Sequence, residues 1–163
     1  MSSQYHTSTQ RPASLEEETR TTIEEARIVL PGIQALFGFQ LIAVFNSRFQ
    51  DFTGIEQVLH LTALLMIALA IALIMTPAAY HRIAEKGTVS RRFVDLASRF
   101  LELAMVPLMF GISLDLFLLA RLILNDVTLS AAIAIAMLFI FFGLWYVFPW
   151  TAGAFSRRRE KLK

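Results

Sequence analysis

Long runs of apolar residues, separated by short polar links, make up most of this 163-residue chain. A helix rises ~1.5 Å per residue, so about 20 apolar residues are enough to cross the ~30 Å hydrocarbon core of a bilayer. The runs predict four such spans, at about residues 28–47, 58–80, 100–122 and 128–149. Because every backbone amide in lipid needs a partner within the protein, the spans are predicted to be helices. The predicted fold class is therefore an all-α integral membrane protein with four transmembrane helices.

The polar segments outside these runs divide the chain into one membrane domain and two tails. The membrane domain is predicted at residues 14–156, after a flexible polar tail of residues 1–13 and before a basic tail of residues 157–163. Ser14 opens a capping-box pattern, which predicts a charged helix leading into the first span. Pro31 is predicted to bend that helix or to end its first segment.

The two halves of the chain show a weak internal similarity. Gly38 aligns with Gly111, and Arg48 with Arg121, at an offset of 73 residues. Each half would be a two-span hairpin that enters the membrane from the same side, so a duplication would produce two parallel helical hairpins. Coincidence within a composition rich in Leu, Phe and Gly is the other explanation.

The distribution of basic residues predicts the orientation of the spans. All of the 15 Lys and Arg residues except Arg48 and Arg121 lie on the side that holds both termini. The positive-inside rule therefore predicts that the N- and C-termini are cytoplasmic. The residues predicted to contact lipid headgroups and to hold this topology are His81, Arg82, Arg91, Arg92, Arg157, Arg158 and Arg159.

Composition agrees with a membrane protein and narrows its partners. Hydrophobic residues are 56% of the chain and charged residues 17%, whereas soluble domains are about half apolar and a quarter charged. The sequence pI is about 9.3, but the cations flank apolar spans. Anionic lipid headgroups are therefore the predicted counter-charge, and nucleic acid is not a predicted partner.

No strong catalytic signature is present, and no enzymatic activity is predicted. The chain contains no Cys, which excludes disulfides, thiolate metal sites and a Cys nucleophile. It has no Gly-rich phosphate loop and no paired His motif. His6, His60 and His81 are predicted at different depths, so they do not converge on one metal. Neither a cofactor nor a metal is predicted.

Two short motifs carry a resemblance to a known family. They are Gly-Ile-Gln-Ala-Leu-Phe-Gly-Phe-Gln at residues 32–40 and Pro-Ala-Ala-Tyr-His-Arg at residues 77–82. Through them the chain resembles small bacterial four-span membrane proteins that are grouped as a domain of unknown function, over residues 25–149. The resemblance implies a multi-pass protein of the bacterial inner (plasma) membrane, and it implies no activity or ligand. Pro31 departs from the small polar residue that the family pattern leads one to expect.

Asp115 is the most informative polar residue within the spans. It lies far inside the third apolar run, where an unpaired charged group costs about 2.5 kcal/mol or more. Arg48 or Arg121 would reach it by extending a long side chain from the outer end of a span. One interpretation is a buried salt bridge that locks two helices, and the other is a proton or cation site.

The first span carries further polar residues. Gln34 and Gly38 belong to a stripe with alternating spacings of four and three residues, which predicts one helix face. Such a face suits close helix packing with an amide hydrogen bond, or else the polar lining of a pathway. Gln40 lies on another face and would need another neighbour, for example a second subunit. The candidate intramembrane polar site comprises Asp115, Gln34, Gln40, Arg48 and Arg121.

Charged residues also mark the inner end of the third span. Asp95, Arg99 and Glu102 are spaced by four and three residues, which predicts an ion-pair cluster at the inner interface. A solvated helix end with only a structural role is the simpler interpretation.

Two functions remain open from the sequence. The first is a homo-oligomer that forms or supports a pathway for ions, protons or small solutes, since four spans enclose little polar space alone. The second is a scaffold or an accessory subunit of a larger membrane complex, because no dense functional cluster is present.

Overall fold

The computed structural model describes residues 15–84 and 90–152, which are almost entirely helical. The helices are α1 (Leu15–Val44), α2 (Gly54–Ala84), α3 (Arg91–Leu124) and α4 (Val127–Phe142), with a 3-10 helix at Ser47–Asp51 and a π-helical turn at Gly143–Val147. Within the described residues, four helices are long and apolar enough to cross a membrane. This confirms the predicted fold class of a four-helix membrane protein. The predicted tails and the Ser14 capping box lie outside the described residues.

Short links join consecutive antiparallel helices, so the bundle has two ends. We call the end with Leu15 and Ala84 the tail end, and the end with Val44 and Gly54 the far end. At the tail end, Ser90 caps α3 because its Oγ accepts a hydrogen bond from the Phe93 amide at 3.2 Å. This cap satisfies one of the amides that a helix N-terminus leaves without an intrahelical partner.

At the far end, two adjacent residues reverse the chain between α3 and α4. Asn125 adopts a left-handed conformation with φ of 54°, which ends α3, and its amide donates to the Arg121 carbonyl at 3.1 Å. Asp126 then caps α4, because its Oδ1 accepts from the Leu129 amide at 3.0 Å. A left-handed Asn followed by an Asp cap allows this link to be very short.

Prolines lie inside three of the helices without ending them. Pro31 is inside α1, Pro77 inside α2 and Pro107 inside α3. The prediction that Pro31 could end the first segment is therefore wrong. Neighbouring helices can accommodate the backbone groups that a proline leaves free within a membrane bundle.

α2 and α3 form the most extensive helix pair. The buried residues of α2 recur with spacings of three and four residues, which keeps them on one face: they are His60, Ala63, Ile67, Ala70, Ile74 and Pro77. On α3 the same periodicity places Ala104, Leu108 and Gly111 against this face. Ile33 of α1 completes the core cluster.

Gly111 sets how closely α2 and α3 approach. A Cβ atom at this position would lie 2.8 Å from Ile67 Cγ1 and 3.2 Å from the Ala63 carbonyl oxygen. A side chain of any size would therefore push the two helices apart. By contrast, Gly38, its counterpart in the proposed internal repeat, has no such neighbour within 4 Å.

The two halves of the chain pack differently from one another. A two-fold axis relating them would make the α1–α4 interface equivalent to the α2–α3 interface. α2 and α3 share the largest interface, whereas α1 and α4 share none of comparable extent in the described residues. α4 packs chiefly on α3, and Ser130 is its one buried residue within Val127–Phe142. The packing thus provides no support for the proposed duplication.

Candidate functional site

A cavity of about 490 Å³ lies near the far end, between α1, the 3-10 helix, α2 and α3. We call it the far-end cavity. Its apolar walls include Leu36, Phe39, Phe49, Phe52, Leu116 and Leu119. Its polar lining residues are Gln40, Asn46, His60 and Asp115. It is therefore an apolar cavity with a few converging polar groups, which is the usual form of a small-molecule site.

Gln40 and Asp115 are paired directly across α1 and α3. The Gln40 Nε2 donates a hydrogen bond to the Asp115 Oδ2. Gln40 is only 5% exposed, and Asp115 is half-buried and lines the cavity. Asp115 is thus the neighbour that Gln40 was predicted to need, and it belongs to the same chain instead of a second subunit.

His60 joins the pair from α2. Its Nε2 lies 3.1 Å from the Gln40 carbonyl oxygen, and since a carbonyl only accepts, the His60 Nε2–H must donate. The ring is buried and packs edge-on against Phe49, with ring centroids 5.4 Å apart. His60 therefore holds the α1 backbone at the residue that contacts Asp115.

His60 is the site residue that sequence reasoning missed. In the sequence, His60 was predicted to lie at a different depth from His6 and His81, and it was discounted as a metal ligand for that reason. A signal was nevertheless present, because His60 continues the three-and-four spacing of Ala63, Ile67 and Ala70. That spacing places the imidazole on the same face of α2 as the small residues that allow close packing.

The predicted ion pair between Asp115 and an arginine is not formed by Arg121. The Arg121 Nε lies 3.2 Å from Glu56 Oε1, and its Nη1 donates to Asn125 Oδ1 at 2.9 Å. Arg121 is six residues from Asp115, which places it about 120° around the helix and therefore on another face. Thr53 fixes the position of the Glu56 side chain, because the Thr53 amide and hydroxyl both donate hydrogen bonds to Glu56 Oε2.

Gln34, another member of the predicted polar site, does not line the far-end cavity. Gln34 is exposed on α1, and its side chain makes no hydrogen bond within the described residues. The packed face of α1 contains Ile33, Phe37 and Gln40, so Gln34 does not face another described helix of the same chain. Arg48 lies in the 3-10 helix, and its side chain is outside what the structure describes.

The predicted cluster at the tail end is dispersed. Asp95, Arg99 and Glu102 are all exposed, and no ion pair within 4 Å joins them in the described part of the chain. The predicted ion-pair cluster is thus not formed, because exposed side chains gain little from pairing and keep their freedom. The Glu102 carbonyl does accept a hydrogen bond from Tyr146 of α4 at 3.0 Å.

The residues predicted to contact headgroups lie at the tail end as far as they are described. Arg82, Arg91 and Arg92 are exposed there. His81 is half-buried and packs against Phe93, with ring centroids 5.1 Å apart, so it also joins α2 to α3. Arg157, Arg158 and Arg159 lie outside the described residues.

A second cavity of about 440 Å³ opens between α1 and α3 nearer the tail end. We call it the tail-end cavity. The residues that line it include Thr22, Glu25, Ile33, Ser98, Glu102 and Leu108. It carries two carboxylates, and so the two cavities share an acidic polar character.

One helical turn separates the two cavities on both α1 and α3. On α1, Ile33 lines the tail-end cavity and Leu36 lines the far-end cavity. On α3, Leu108 lines the tail-end cavity and Ile112 lines the far-end cavity. Three or four residues correspond to about 5–6 Å along a helix. Ile33 and Leu108 are buried in the core cluster with Ile67. These buried apolar side chains therefore lie at the boundary between the two cavities, and we call this boundary the apolar constriction.

Within residues 15–84 and 90–152, no group of three or more His, Cys, Asp or Glu side chains could hold a metal ion. The polar groups of the far-end cavity are the Asp115 carboxylate, the side-chain amides of Gln40 and Asn46, and the His60 imidazole, which donates to the Gln40 backbone carbonyl. This set can accept hydrogen bonds, exchange a proton or balance a positive charge.

Comparison with known proteins places the chain in a family without assigning it an activity. The profile described as "Family of unknown function (DUF6328)" matches residues 10–149, and the chain belongs to this family. No curated protein and no solved structure matches the chain.

Proposed function

We propose, for this member of a family of unknown function, that the protein forms or supports a pathway for protons or other small cations. The path follows the interface between α1 and α3. The observation that carries the proposal is the pair of cavities on either side of one apolar constriction. We further propose that the tail end is cytoplasmic, as the basic residues indicate, and that the membrane is the bacterial inner membrane.

Asp115 is the central residue of this proposal. It is a carboxylate within a membrane span, and within the described residues its side chain has a neutral amide as its partner and no basic residue within 4 Å. Intramembrane carboxylates of this kind are typical of proton and ion pathways. Glu25 and Glu102 in the tail-end cavity offer further carboxylates on the same route. Along α3, Glu102 and Asp115 are separated by about 20 Å of helix rise.

The apolar constriction supplies the barrier that such a pathway needs at rest. Ile33 and Leu108 meet there, and both are at least nine-tenths buried. Apolar constrictions exclude water and can open by small helix movements. α1 is the helix suited to move, because it has smaller interfaces with α2 and α3 than these two have with each other.

A second copy of the chain would complete the path. Gln34 exposes an amide on α1 within the span, and a polar group facing lipid is costly unless another helix supplies a partner. α1 and α4 both have large exposed apolar faces in the described residues. A homo-oligomer that joins α1 helices would pair Gln34 and enclose the α1–α3 interface.

Proton flux into liposomes tests the proposal. Purified protein reconstituted with an enclosed pH-sensitive dye should dissipate an imposed pH gradient, and Asp115→Asn should reduce the rate by about tenfold or more, in line with the loss of a general acid–base group. Asp95→Asn is the matched control, since it changes an exposed carboxylate on the same helix. Equal rates for wild type, Asp115→Asn and protein-free liposomes for protons, Na⁺ and K⁺ would overturn the proposal.

The alternative function is a scaffold or an accessory subunit. It is favoured by α4, which packs chiefly on α3 and leaves most of its surface free for another membrane protein. A stoichiometric partner would then copurify from native membranes, and Asp115→Asn would leave that assembly intact while producing no change in flux. The two functions therefore differ in whether Asp115 controls transport or is irrelevant to it.

A further inference from the structure

Some hydrogen-bonding groups of the far-end cavity have partners among the described residues, and one buried acceptor has none there. The Gln40 amide nitrogen donates to Asp115, and the His60 Nε2–H donates to the Gln40 carbonyl. The Gln40 Oε1, however, is buried without a hydrogen-bond partner. Asp115 makes no other side-chain hydrogen bond within the described residues. In this part of the chain, one N–H of the Gln40 amide and the His60 Nε2–H are therefore engaged, whereas the Gln40 Oε1 receives no donor and the Asp115 carboxylate accepts a hydrogen bond only from a neutral amide.

The unsatisfied Gln40 Oε1, together with a carboxylate whose hydrogen-bond partner is a neutral amide, favours a ligand that carries both a positive charge and N–H donors. Leaving such groups unpaired is costly in an apolar environment. A positively charged ammonium would balance Asp115 and, after a rotation of the Gln40 amide, donate to its oxygen. These two requirements exclude anions and neutral apolar compounds as the best ligands of this cavity.

The size and walls of the cavity argue against a bare ion as its sole occupant. Its volume of about 490 Å³ lies in the range of sites for small organic molecules. The walls are built from Phe39, Phe49, Phe52 and several leucines, which offer no oxygen ligands for a metal ion. Aromatic rings do attract organic cations and apolar bodies.

We propose that the far-end cavity binds an amphipathic amine, whose ammonium group is held by Asp115 and Gln40 and whose apolar body lies against the Phe and Leu walls. This deepens the proposed function by naming a class of cation for the same site, and it rests on that function only for what happens after binding. The ammonium could belong to a free amine or to the headgroup of a lipid such as phosphatidylethanolamine.

Calorimetric titration of the full-length protein in phosphatidylcholine nanodiscs tests the binding, with empty nanodiscs as the blank. The probe is 2-(2-naphthyl)ethylammonium, compared with the neutral 2-(2-naphthyl)ethanol and with the N,N,N-trimethylated cation, which lacks N–H donors. The primary ammonium should bind saturably and about tenfold or more tighter than either analogue, since hydrogen bonds to charged groups contribute that much. If the wild-type protein binds the ammonium and the alcohol equally well, the proposal is overturned by this comparison alone.

Substitutions then locate the site. Asp115→Asn keeps the size of the side chain and an acceptor for the Gln40 amide, and it should weaken ammonium binding by about tenfold to a hundredfold. Asp95→Asn should leave binding unchanged. Unfolding curves show whether Asp115→Asn is folded. If a folded Asp115→Asn protein binds the ammonium as wild type does, the site lies elsewhere and the proposal fails.

Two further experiments ask whether the ammonium belongs to a lipid headgroup or to a free amine, and whether binding is linked to transport. In nanodiscs containing phosphatidylethanolamine, loss of probe affinity identifies the lipid headgroup as the occupant, and unchanged affinity identifies a free amine. Either result supports an ammonium site. Saturable binding without proton flux supports the site and overturns the pathway. Flux that depends on Asp115 without any ammonium binding supports the pathway and overturns the amine proposal.

Discussion

The contact between Gly111 and Ile67 allows a sharp test of the α2–α3 interface. Replacing Gly111 by Ala adds one methyl group, whose carbon would lie 2.8 Å from Ile67 Cγ1. Two carbon atoms prefer a separation of about 3.5–4.0 Å, so the methyl group is too close. Ile67 is fully buried and branched at Cβ, which leaves it little freedom to move away. The Ala63 carbonyl oxygen, at 3.2 Å, belongs to the helix backbone and is equally constrained.

Gly38→Ala is the control that isolates the cost of this contact. Gly38 is also inside a helix, but an added Cβ would meet no such atom within 4 Å. The gain in helix propensity from Gly to Ala, about 1 kcal/mol, applies to both variants and cancels in the comparison. The remaining difference is the cost of overpacking, about 1–3 kcal/mol. Gly111→Ala is therefore expected to be less stable than Gly38→Ala by about 1–3 kcal/mol.

Reversible unfolding by SDS in mixed micelles measures this difference. Far-UV circular dichroism and the fluorescence of Trp145 and Trp150 should report the same transition if unfolding is two-state. The free energy of unfolding should be highest for Gly38→Ala, and that of Gly111→Ala should equal that of wild type or lie up to about 2 kcal/mol below it, because the overpacking cost offsets or exceeds the propensity gain of about 1 kcal/mol. If Gly111→Ala is as stable as Gly38→Ala, the close approach of α2 to α3 at this position is wrong.

Two further predictions concern the far end and the exposed face of α1. Glu56→Gln should lower the free energy of unfolding by about 1 kcal/mol, because it weakens the contacts with Thr53 and Arg121. Glu24→Gln, which affects only an exposed pair, should match wild type in the same SDS titration, and an equal loss in both would refute the special role of Glu56. Gln34→Leu should shift the oligomer toward monomer in mild detergent, measured by light scattering, while leaving the stability of the monomer unchanged. If the oligomeric state of Gln34→Leu matches that of wild type, Gln34 does not lie in the oligomer interface.

The faces on which the helices meet were harder to predict than the helices themselves. On α1 the sequence favoured the stripe of Gln34 and Gly38, whereas the packed face contains Ile33, Phe37 and Gln40. These two faces differ by one residue, or about 100° around the helix. In a soluble protein the apolar stripe identifies the buried face, but lipid is as apolar as the protein interior. Hydrophobicity therefore carries little information about which face of α1 is packed.

The candidate site was predictable in part. The sequence alone identifies Asp115 as a candidate, because placing a carboxylate within an apolar membrane span costs free energy. Its partner was not predictable, since Gln40 is 75 residues away and on a different helix. The sequence could have predicted that Arg121 does not pair with Asp115, because a separation of six residues places the two side chains on different faces of α3. Glu56 was not considered because it lies in the link between two predicted spans, where carboxylates are expected to be solvated.

The amino-acid sequence alone determined that the chain has four segments long and apolar enough to cross a membrane, because the free energy of moving apolar residues into lipid sums along each local segment. It also determined where the charged groups lie along the chain. The tertiary structure decided that Gln40, His60 and Asp115 meet, that Gly111 brings α2 and α3 together, and that two cavities approach each other between α1 and α3. These features depend on the rotation and register of one helix against another, which arise from side-chain packing between distant segments and not from any local run of sequence.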